Sequence, residues 1–197
     1  MKTFFKGFCI GLLSLSLLGL LWFLVLQPGL TNKEAQDLKE EYAQPLPGES
    51  SGELPAGKEQ AASLVNLSAL QAEYPDIQGW ISIPGTCVDY PVLQSSADEP
   101  EYYLRRTYKG EHRTAGSIFF QWDCSPESRN LVVYGHNMSD GTMFAVLQKM
   151  ADEAFRTEHS KILLQTSDGL WEYRIAAVLK TDIQKLSFNR TEFADDA

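Results

Sequence analysis

The chain has 197 residues, with 17 basic and 26 acidic side chains and a formal net charge of -9 at pH 7. This acidic balance argues against a nucleic-acid-binding protein and against attachment to anionic lipid through basic residues. Three cysteines are too few for a disulfide framework, and the sequence has neither a Cys/His zinc spacing nor a glycine-rich phosphate loop, so we expect no metal site and no cofactor.

The first element is an uncharged apolar segment at residues 7–26, which follows Lys2 and Lys6. Its residues, at about 1.5 Å each, match a hydrocarbon core of roughly 30 Å, so the segment predicts a membrane-spanning helix. It ends without an Ala-x-Ala cleavage pattern, which indicates a retained anchor and not a cleaved signal peptide. The two lysines place residues 1–6 in the cytoplasm and the rest of the chain outside the cell membrane.

The next segment, residues 27–58, predicts an extracellular stalk and linker. Its first part, 32–42, is charged and weakly helical. Its second part, 44–58, is rich in proline, glycine and serine and cannot bury enough apolar surface to order itself. From residue 59 the composition changes to helix formers, with leucines at helical spacing before Pro75. We therefore assign residues 59–197 to the globular domain.

Short apolar runs within this domain predict a mainly β fold. One pair of strands flanks the turn at Pro84-Gly85, a second pair ends near residue 134, and a hairpin surrounds the turn at 167–169. The predicted strands are residues 80–83, 88–93, 117–122, 131–134, 162–166 and 171–179. Many short strands with few helices favour a closed or nearly closed β-barrel with peripheral helices.

The main candidate functional residue is His136, which directly follows the apolar run 131–134 and Gly135. The glycine lets neighbouring groups approach the backbone closely. Turn residues come next, Thr142 is a candidate N-cap, and apolar residues then recur at helical spacing, so the pattern predicts strand, turn and helix. Imidazole titrates near neutrality and suits acid–base catalysis, although a lone histidine is more often a structural group.

The residues around this histidine resemble the histidine motif of class B sortases, the membrane-anchored cysteine transpeptidases of Gram-positive bacteria. The similarity covers the sequence Tyr-Gly-His-Asn-Met at 134–138 and Asp-Gly-Thr-Met-Phe at 140–144. It continues upstream in the blocks at 79–86, 88–92, 102–104 and 115–119, and in all it spans about residues 64 to 193. The resemblance independently implies a sortase-like β-barrel.

The resemblance also implies a three-part chemistry. A cysteine thiolate attacks the carbonyl of a sorting-signal peptide bond, a histidine exchanges protons with the departing and incoming amines, and an arginine stabilises the substrate oxygen. Of these groups the resemblance identifies only His136 here. The Thr-Leu-x-Thr-Cys segment of the family and its arginine do not occur before Ala197. We therefore expect a truncated chain with an incomplete barrel and without transpeptidase activity of its own.

Two other cysteines could in principle replace the missing nucleophile. Cys124 lies between two strands that we predict to be antiparallel, so it should lie at the opposite end of that pair from His136, roughly 20 Å away. Cys87 lies beside a tight turn, in a block that does not match the family's nucleophile strand. We expect neither cysteine to act as the nucleophile.

The remaining expectations concern partners. By resemblance Leu104 lines the substrate groove, although a plain core leucine is an equally good interpretation. The implied partners are secreted proteins with a sorting signal, an amine of a cell-wall precursor or of another protein, and the membrane through the N-terminal helix. An alternative hypothesis is a non-catalytic, membrane-anchored module or sortase remnant that binds peptides or proteins. The alternative predicts that residues 59–197 fold cooperatively and bind a sorting peptide, and that His136→Ala leaves this binding nearly unchanged.

Overall fold

The structure is a computed structural model and describes residues 2–21, 27–44, 64–182, 185 and 188–191. Its N-terminal part consists of two helices. Helix α1 is Lys2–Leu21 and helix α2 is Gln27–Glu41. No helix in the described ranges is both long enough and apolar enough to cross a membrane. The anchor predicted at 7–26 is therefore not supported, and its last five residues, 22–26, lie outside the described part.

Helix α2 packs against the domain, which differs from the predicted free stalk. Ala35 and Leu38 are buried, at 6% and 3% exposure, and both join the hydrophobic core. These residues are spaced by about one helical turn, so they form one apolar stripe in an otherwise charged helix. The linker predicted at 44–58 lies outside the described residues except for Gln44, and the predicted domain start at residue 59 lies outside them as well.

A short antiparallel pair and a helix lead into the main sheet. Strand β1, Ala43–Gln44, pairs with β2, Leu64–Val65, and helix α3 follows at Leu67–Glu73. The Asn66 side chain caps α3 by accepting the Ala69 N–H at 3.1 Å. The predicted helix is confirmed, but it begins after Leu64 because that residue belongs to a strand.

The main sheet has six strands in the order β6-β5-β4-β3-β7-β8. Strands β4 and β5 are parallel and all other neighbours are antiparallel. The strands are β3 Ile77–Ser82, β4 Asp89–Gln94, β5 Ile118–Phe120, β6 Val133–Tyr134, β7 Lys161–Thr166 and β8 Gly169–Arg174. The three predicted strand pairs are confirmed. The sheet is open within the described residues, because neither β6 nor β8 pairs with a further described strand, which agrees with the incomplete barrel that we expect from the sequence.

The centre of the sheet is covered on both faces. Val92 and Leu93 are adjacent in β4 and both fully buried, and they belong to different core clusters. Because successive strand residues point to opposite faces, the two clusters lie on the two sides of the sheet. Residues Ile118 and Phe119 of β5 divide between the clusters in the same way. This packing gives the strand that precedes His136 a rigid neighbour.

Three short helices complete the described fold. The 3-10 helices are Tyr102–Arg105 and Ala145–Ala151, and helix α4 is Glu153–Glu158. The helix predicted after His136 therefore exists, but it is a 3-10 helix and Thr142 does not cap it. The Thr142 hydroxyl instead donates to Asp140, and Met143 has a φ of 56° that no helix interior allows.

Candidate active site

His136 lies two residues beyond the end of β6, where the sequence analysis placed it. The preceding residue, Gly135, is in close contact with its surroundings, since a Cβ there would lie 2.4 Å from Ile118 Cδ1 and 2.6 Å from Phe144 Cδ2. The His136 carbonyl accepts the Phe144 N–H at 2.9 Å. The predicted close approach at Gly135 is confirmed, and it fixes the backbone on both sides of the histidine.

The ring of His136 is half-buried and is held by the backbone of the 102–105 helix. Its Nε2 lies 2.9 Å from the carbonyl oxygen of Leu104. A carbonyl oxygen only accepts hydrogen bonds, so Nε2 must carry the proton in this contact. For the other ring nitrogen, Nδ1, no described residue provides a hydrogen-bond partner. The described contacts thus orient the ring through Nε2 alone.

The two candidate site residues, His136 and Leu104, are therefore brought together, but through the Leu104 main chain. The Leu104 side chain is half-buried against the core cluster that contains Tyr103 and Phe119. Its carbonyl also borders Gly116, where φ is +57° and a Cβ would lie only 2.3 Å from the Leu104 oxygen. Glycine at position 116 allows the 102–105 helix to approach closely enough for its carbonyl to reach the imidazole.

The loop after the histidine is closed by side-chain hydrogen bonds. Asp140 Oδ1 accepts the Thr142 N–H at 2.8 Å and the Thr142 hydroxyl at 2.6 Å. Gly141 adopts a φ of +87°, as the predicted turn requires. Asn137 and Met143 form an isolated antiparallel bridge across the loop. The segment 137–143 is thus a closed loop that returns the chain to His136.

Neither described thiol has the environment of a nucleophile. Burial raises the pKa of Cys87, whose Sγ donates to the Gly141 carbonyl at 3.1 Å. Burial also raises the pKa of Cys124, whose Sγ donates to the Asn130 carbonyl at 3.4 Å. A reactive thiol needs a lowered pKa and a basic neighbour. The expectation that neither cysteine is the nucleophile stays a prediction.

The other histidines have different surroundings. The Nδ1 of His159 lies 2.9 Å from the Pro84 carbonyl, and its ring packs on Phe155 with centroids 4.3 Å apart. His112 is exposed and takes part in an isolated bridge with Arg106.

A cavity of about 410 Å³ lies at the start of the 102–105 helix and is lined by Tyr102 but not by His136. Among the described residues, no cluster of three or more His, Cys, Asp or Glu side chains could hold a metal ion.

Comparison with known proteins identifies the family. The family model described as Sortase domain matches residues 81–195, which is more than half of the chain. The chain belongs to the sortase family. A sortase B of Listeria monocytogenes is 38% identical to it over 131 residues, which are 66% of this chain and 52% of that relative. The sortase B relatives support the assignment to class B.

Solved structures of sortases share the fold. The Staphylococcus aureus sortase B–substrate complex matches with a TM-score of 0.61 at 32% identity, over 66% of this chain and 59% of that chain. A sortase B complexed with triglycine matches with a TM-score of 0.51 at 33% identity, over 55% and 50%. These similarities show a sortase-like curled β-sheet, a half-barrel, which fits the predicted sortase-like, incomplete barrel. The chain spans about half the length of the curated relatives it matches.

The groups that hold the histidine of this sortase domain cannot be predicted from the sequence. These are the Leu104 carbonyl, Gly116 and the hydroxyl of Tyr90, which accepts the Met143 N–H at 3.2 Å. A main-chain carbonyl leaves no sequence signal. Gly116 was visible only as part of a matching block, and nothing in the sequence connects Tyr90 with a loop that lies 53 residues away.

Proposed function

We propose that this chain carries the catalytic histidine of a class B sortase, a cysteine transpeptidase that cleaves a protein at a C-terminal sorting signal and joins it to an amine. The observation that supports this proposal most strongly is the orientation of His136, whose Nε2 is bonded to the Leu104 carbonyl. A ring fixed through one nitrogen, with the other available, is suited to repeated proton transfer at one position.

The proposed reaction has two acyl-transfer steps. A cysteine thiolate attacks the scissile carbonyl, a thioester forms as the C–N bond breaks, and His136 gives a proton to the departing amine. The incoming amine then attacks the thioester, His136 accepts its proton, and an amide forms as the thiolate leaves. In our proposal the nucleophile is an activated thiol other than Cys87 and Cys124, because burial raises the pKa of both of these side chains.

The proposed substrates are a secreted protein with a sorting signal and an amine of a cell-wall precursor or of another protein. Sortase B has been solved as a substrate complex and also in complex with triglycine, which supports a peptide donor and an amine acceptor. In our proposal the partly exposed side of Leu104 contacts the sorting peptide. That position lies beside His136 and would bring the scissile bond to the imidazole.

The test compares two histidines whose rings each form a hydrogen bond with a main-chain carbonyl. His136→Gln and His159→Gln are introduced into the whole natural protein, which is assayed with a fluorescent sorting peptide and triglycine. We expect His136→Gln to lower kcat/KM by about 10²- to 10⁴-fold, the usual contribution of acid–base catalysis. His159→Gln should leave the rate within a small factor of the wild type, and equal losses in the two variants would refute the assignment.

The same assay separates the alternative hypothesis of a binding module. Wild-type protein that binds the sorting peptide without forming any cleaved product would favour that alternative. Cys87→Ser and Cys124→Ser supply a second check on the chemistry, because both should retain transpeptidation. Loss of thioester formation in either one would show that it is the nucleophile after all.

A further inference from the structure

Met143 connects the histidine loop to strand β4. It is a buried residue with a φ of 56°, an uncommon conformation for a side chain of this size. Its bridge to Asn137 closes the loop, and the neighbouring Phe144 N–H donates to the His136 carbonyl. The Met143 N–H itself donates to the hydroxyl of Tyr90 at 3.2 Å. This bond keeps the buried N–H satisfied in its unusual conformation.

Tyr90 uses its hydroxyl in both directions. It lies in β4 and is 3% exposed, it accepts from Met143, and it donates to Asn32 Oδ1 of helix α2. A phenol has one donor hydrogen, so Asn32 determines where that hydrogen points and leaves the lone pairs for Met143. Burial raises the pKa of Tyr90 to about 12, so the hydroxyl keeps its proton at neutral pH.

Helix α2 is also connected to the 102–105 helix, whose Leu104 carbonyl accepts the hydrogen bond from His136. Glu34 forms a two-pronged ion pair with Arg113, with distances of 2.6 and 2.8 Å. The Arg113 N–H donates to the Arg105 carbonyl at 2.9 Å, immediately after Leu104. Helix α2 is thus connected through Tyr90 to the loop that follows His136, and through Arg113 to the short helix whose carbonyl bonds to the imidazole.

We propose that Tyr90 is a positioning residue for His136 and that Asn32 of α2 holds Tyr90 in that role. The inference rests on the proposed function only for its catalytic consequence, since the positioning itself is a property of the fold. Loss of the Tyr90 hydroxyl leaves the Met143 N–H buried without a partner. The loop then relaxes, and the imidazole loses its alignment with the Leu104 carbonyl.

The first experiment observes the ring directly by NMR in the ¹⁵N-labelled chain. Tyr90→Phe keeps the ring in β4 but removes the hydroxyl, whereas Tyr42→Phe removes the hydroxyl that bonds to Glu73 elsewhere. We expect Tyr90→Phe to reduce the share of the Nε2–H tautomer of neutral His136. We also expect hydrogen exchange of the Met143 amide to accelerate by about tenfold, while Tyr42→Phe changes neither signal. An unchanged tautomer in Tyr90→Phe, or the same change in Tyr42→Phe, would overturn the proposal.

A second pair of variants keeps the proposal testable if Tyr90→Phe does not fold. Asn32→Leu removes the acceptor of the Tyr90 hydroxyl, and Asn32→Asp retains an oxygen in the same place. Exchange at Met143 should accelerate by about threefold in Asn32→Leu and return to the wild-type rate in Asn32→Asp. Equal exchange in the two variants would overturn the role of Asn32.

Activity of the whole protein then distinguishes the two proposals. If both hold, Tyr90→Phe lowers kcat for sorting-peptide transfer by about tenfold and leaves KM nearly unchanged, because the substrate groove is intact. If the NMR changes occur but the wild-type protein has no transpeptidase activity, the proposed function fails and the positioning role stands. A Tyr90→Phe protein with wild-type kcat and an altered ring would refute the catalytic consequence.

Discussion

Replacement of Gly116 by alanine should damage the histidine site through the backbone. Gly116 has a φ of +57°, where an L-residue with a Cβ costs roughly 1 kcal/mol more than glycine. The new Cβ would lie 2.3 Å from the Leu104 oxygen and 2.6 Å from the Tyr103 oxygen. Both are main-chain atoms, so a rotamer change cannot relieve the overlap. A forced backbone shift of this kind costs about 1–3 kcal/mol, and we expect a total loss of about 2–4 kcal/mol.

Gly141 offers a matched control for this substitution. It also has a positive φ, +87°, but a Cβ there would meet no atom within 4 Å. Gly141→Ala should therefore show only the conformational cost of about 1 kcal/mol. Urea unfolding of both variants, followed by tryptophan fluorescence, measures the difference, which should be about 1–3 kcal/mol in the direction of a less stable Gly116→Ala protein.

Gly116→Ala should also displace the Leu104 carbonyl, which is the hydrogen-bond partner of the His136 ring. Because the Leu104 carbonyl must shift, the His136 ring signals of folded Gly116→Ala should change, and those of Gly141→Ala should change less. Equal losses of stability in the two variants would refute the reasoning, because the backbone overlap would then carry no cost. A destabilised Gly116→Ala protein with unchanged His136 signals would show that the overlap is relieved away from Leu104.

Burial and close packing lead to three further predictions. Burial raises the pKa of Cys87 and Cys124, so both should react with iodoacetamide at pH 7 more slowly than a free thiol. Mass spectrometry measures the labelling rate of each cysteine. Rapid labelling would contradict the described burial. Tyr90 has a pKa of about 12 against an ordinary 10, so the folded state holds its proton more tightly, and its contribution to stability is complete below pH 10 and lost as the pH rises through 12. The free energy of unfolding, measured by urea titration from pH 9 to 11.5, should thus fall less steeply with pH for Tyr90→Phe than for the wild type. Gly135→Ala should lose about 1–3 kcal/mol, since its Cβ would overlap Ile118 and Phe144, and the double variant with Ile118→Val should lose less than the sum of the two single losses.

Local patterns were sufficient for most strands and for the position of the histidine. Alternating and β-branched runs predicted both partners of the β3–β4 and β7–β8 pairs, which follow one another along the chain. Turn residues predicted the loop at 139–141 after His136, and it forms there. The helix after this loop was less predictable. Its apolar spacing fits an α-helix, but the Asp140–Thr142 contacts and the positive φ of Met143 delay it and leave a 3-10 helix.

The N-terminal region shows where composition misleads. Residues 32–42 are mostly charged, a composition that predicts a stalk, yet α2 packs its Ala35 and Leu38 onto the domain. Two apolar side chains give little signal in a sequence, and the ion pair of Glu34 with Arg113 joins residues 79 positions apart, so neither contact can be predicted from neighbouring residues. The charge that suggested a solvated helix is partly used in contacts with the domain.

The sequence by itself determined the acidic character of this sortase-family chain, its short strands, and a histidine at the end of a β-strand. Tertiary structure alone decided what surrounds that histidine. The Leu104 carbonyl lies 32 positions from His136, Tyr90 lies 53 positions from Met143, and Asn32 lies 58 positions from Tyr90. Strand and turn propensities depend on neighbours along the chain, so they predict local elements. Contacts over such separations form only when packing brings the elements together, and two of these three use main-chain groups, which do not depend on the identity of the side chain.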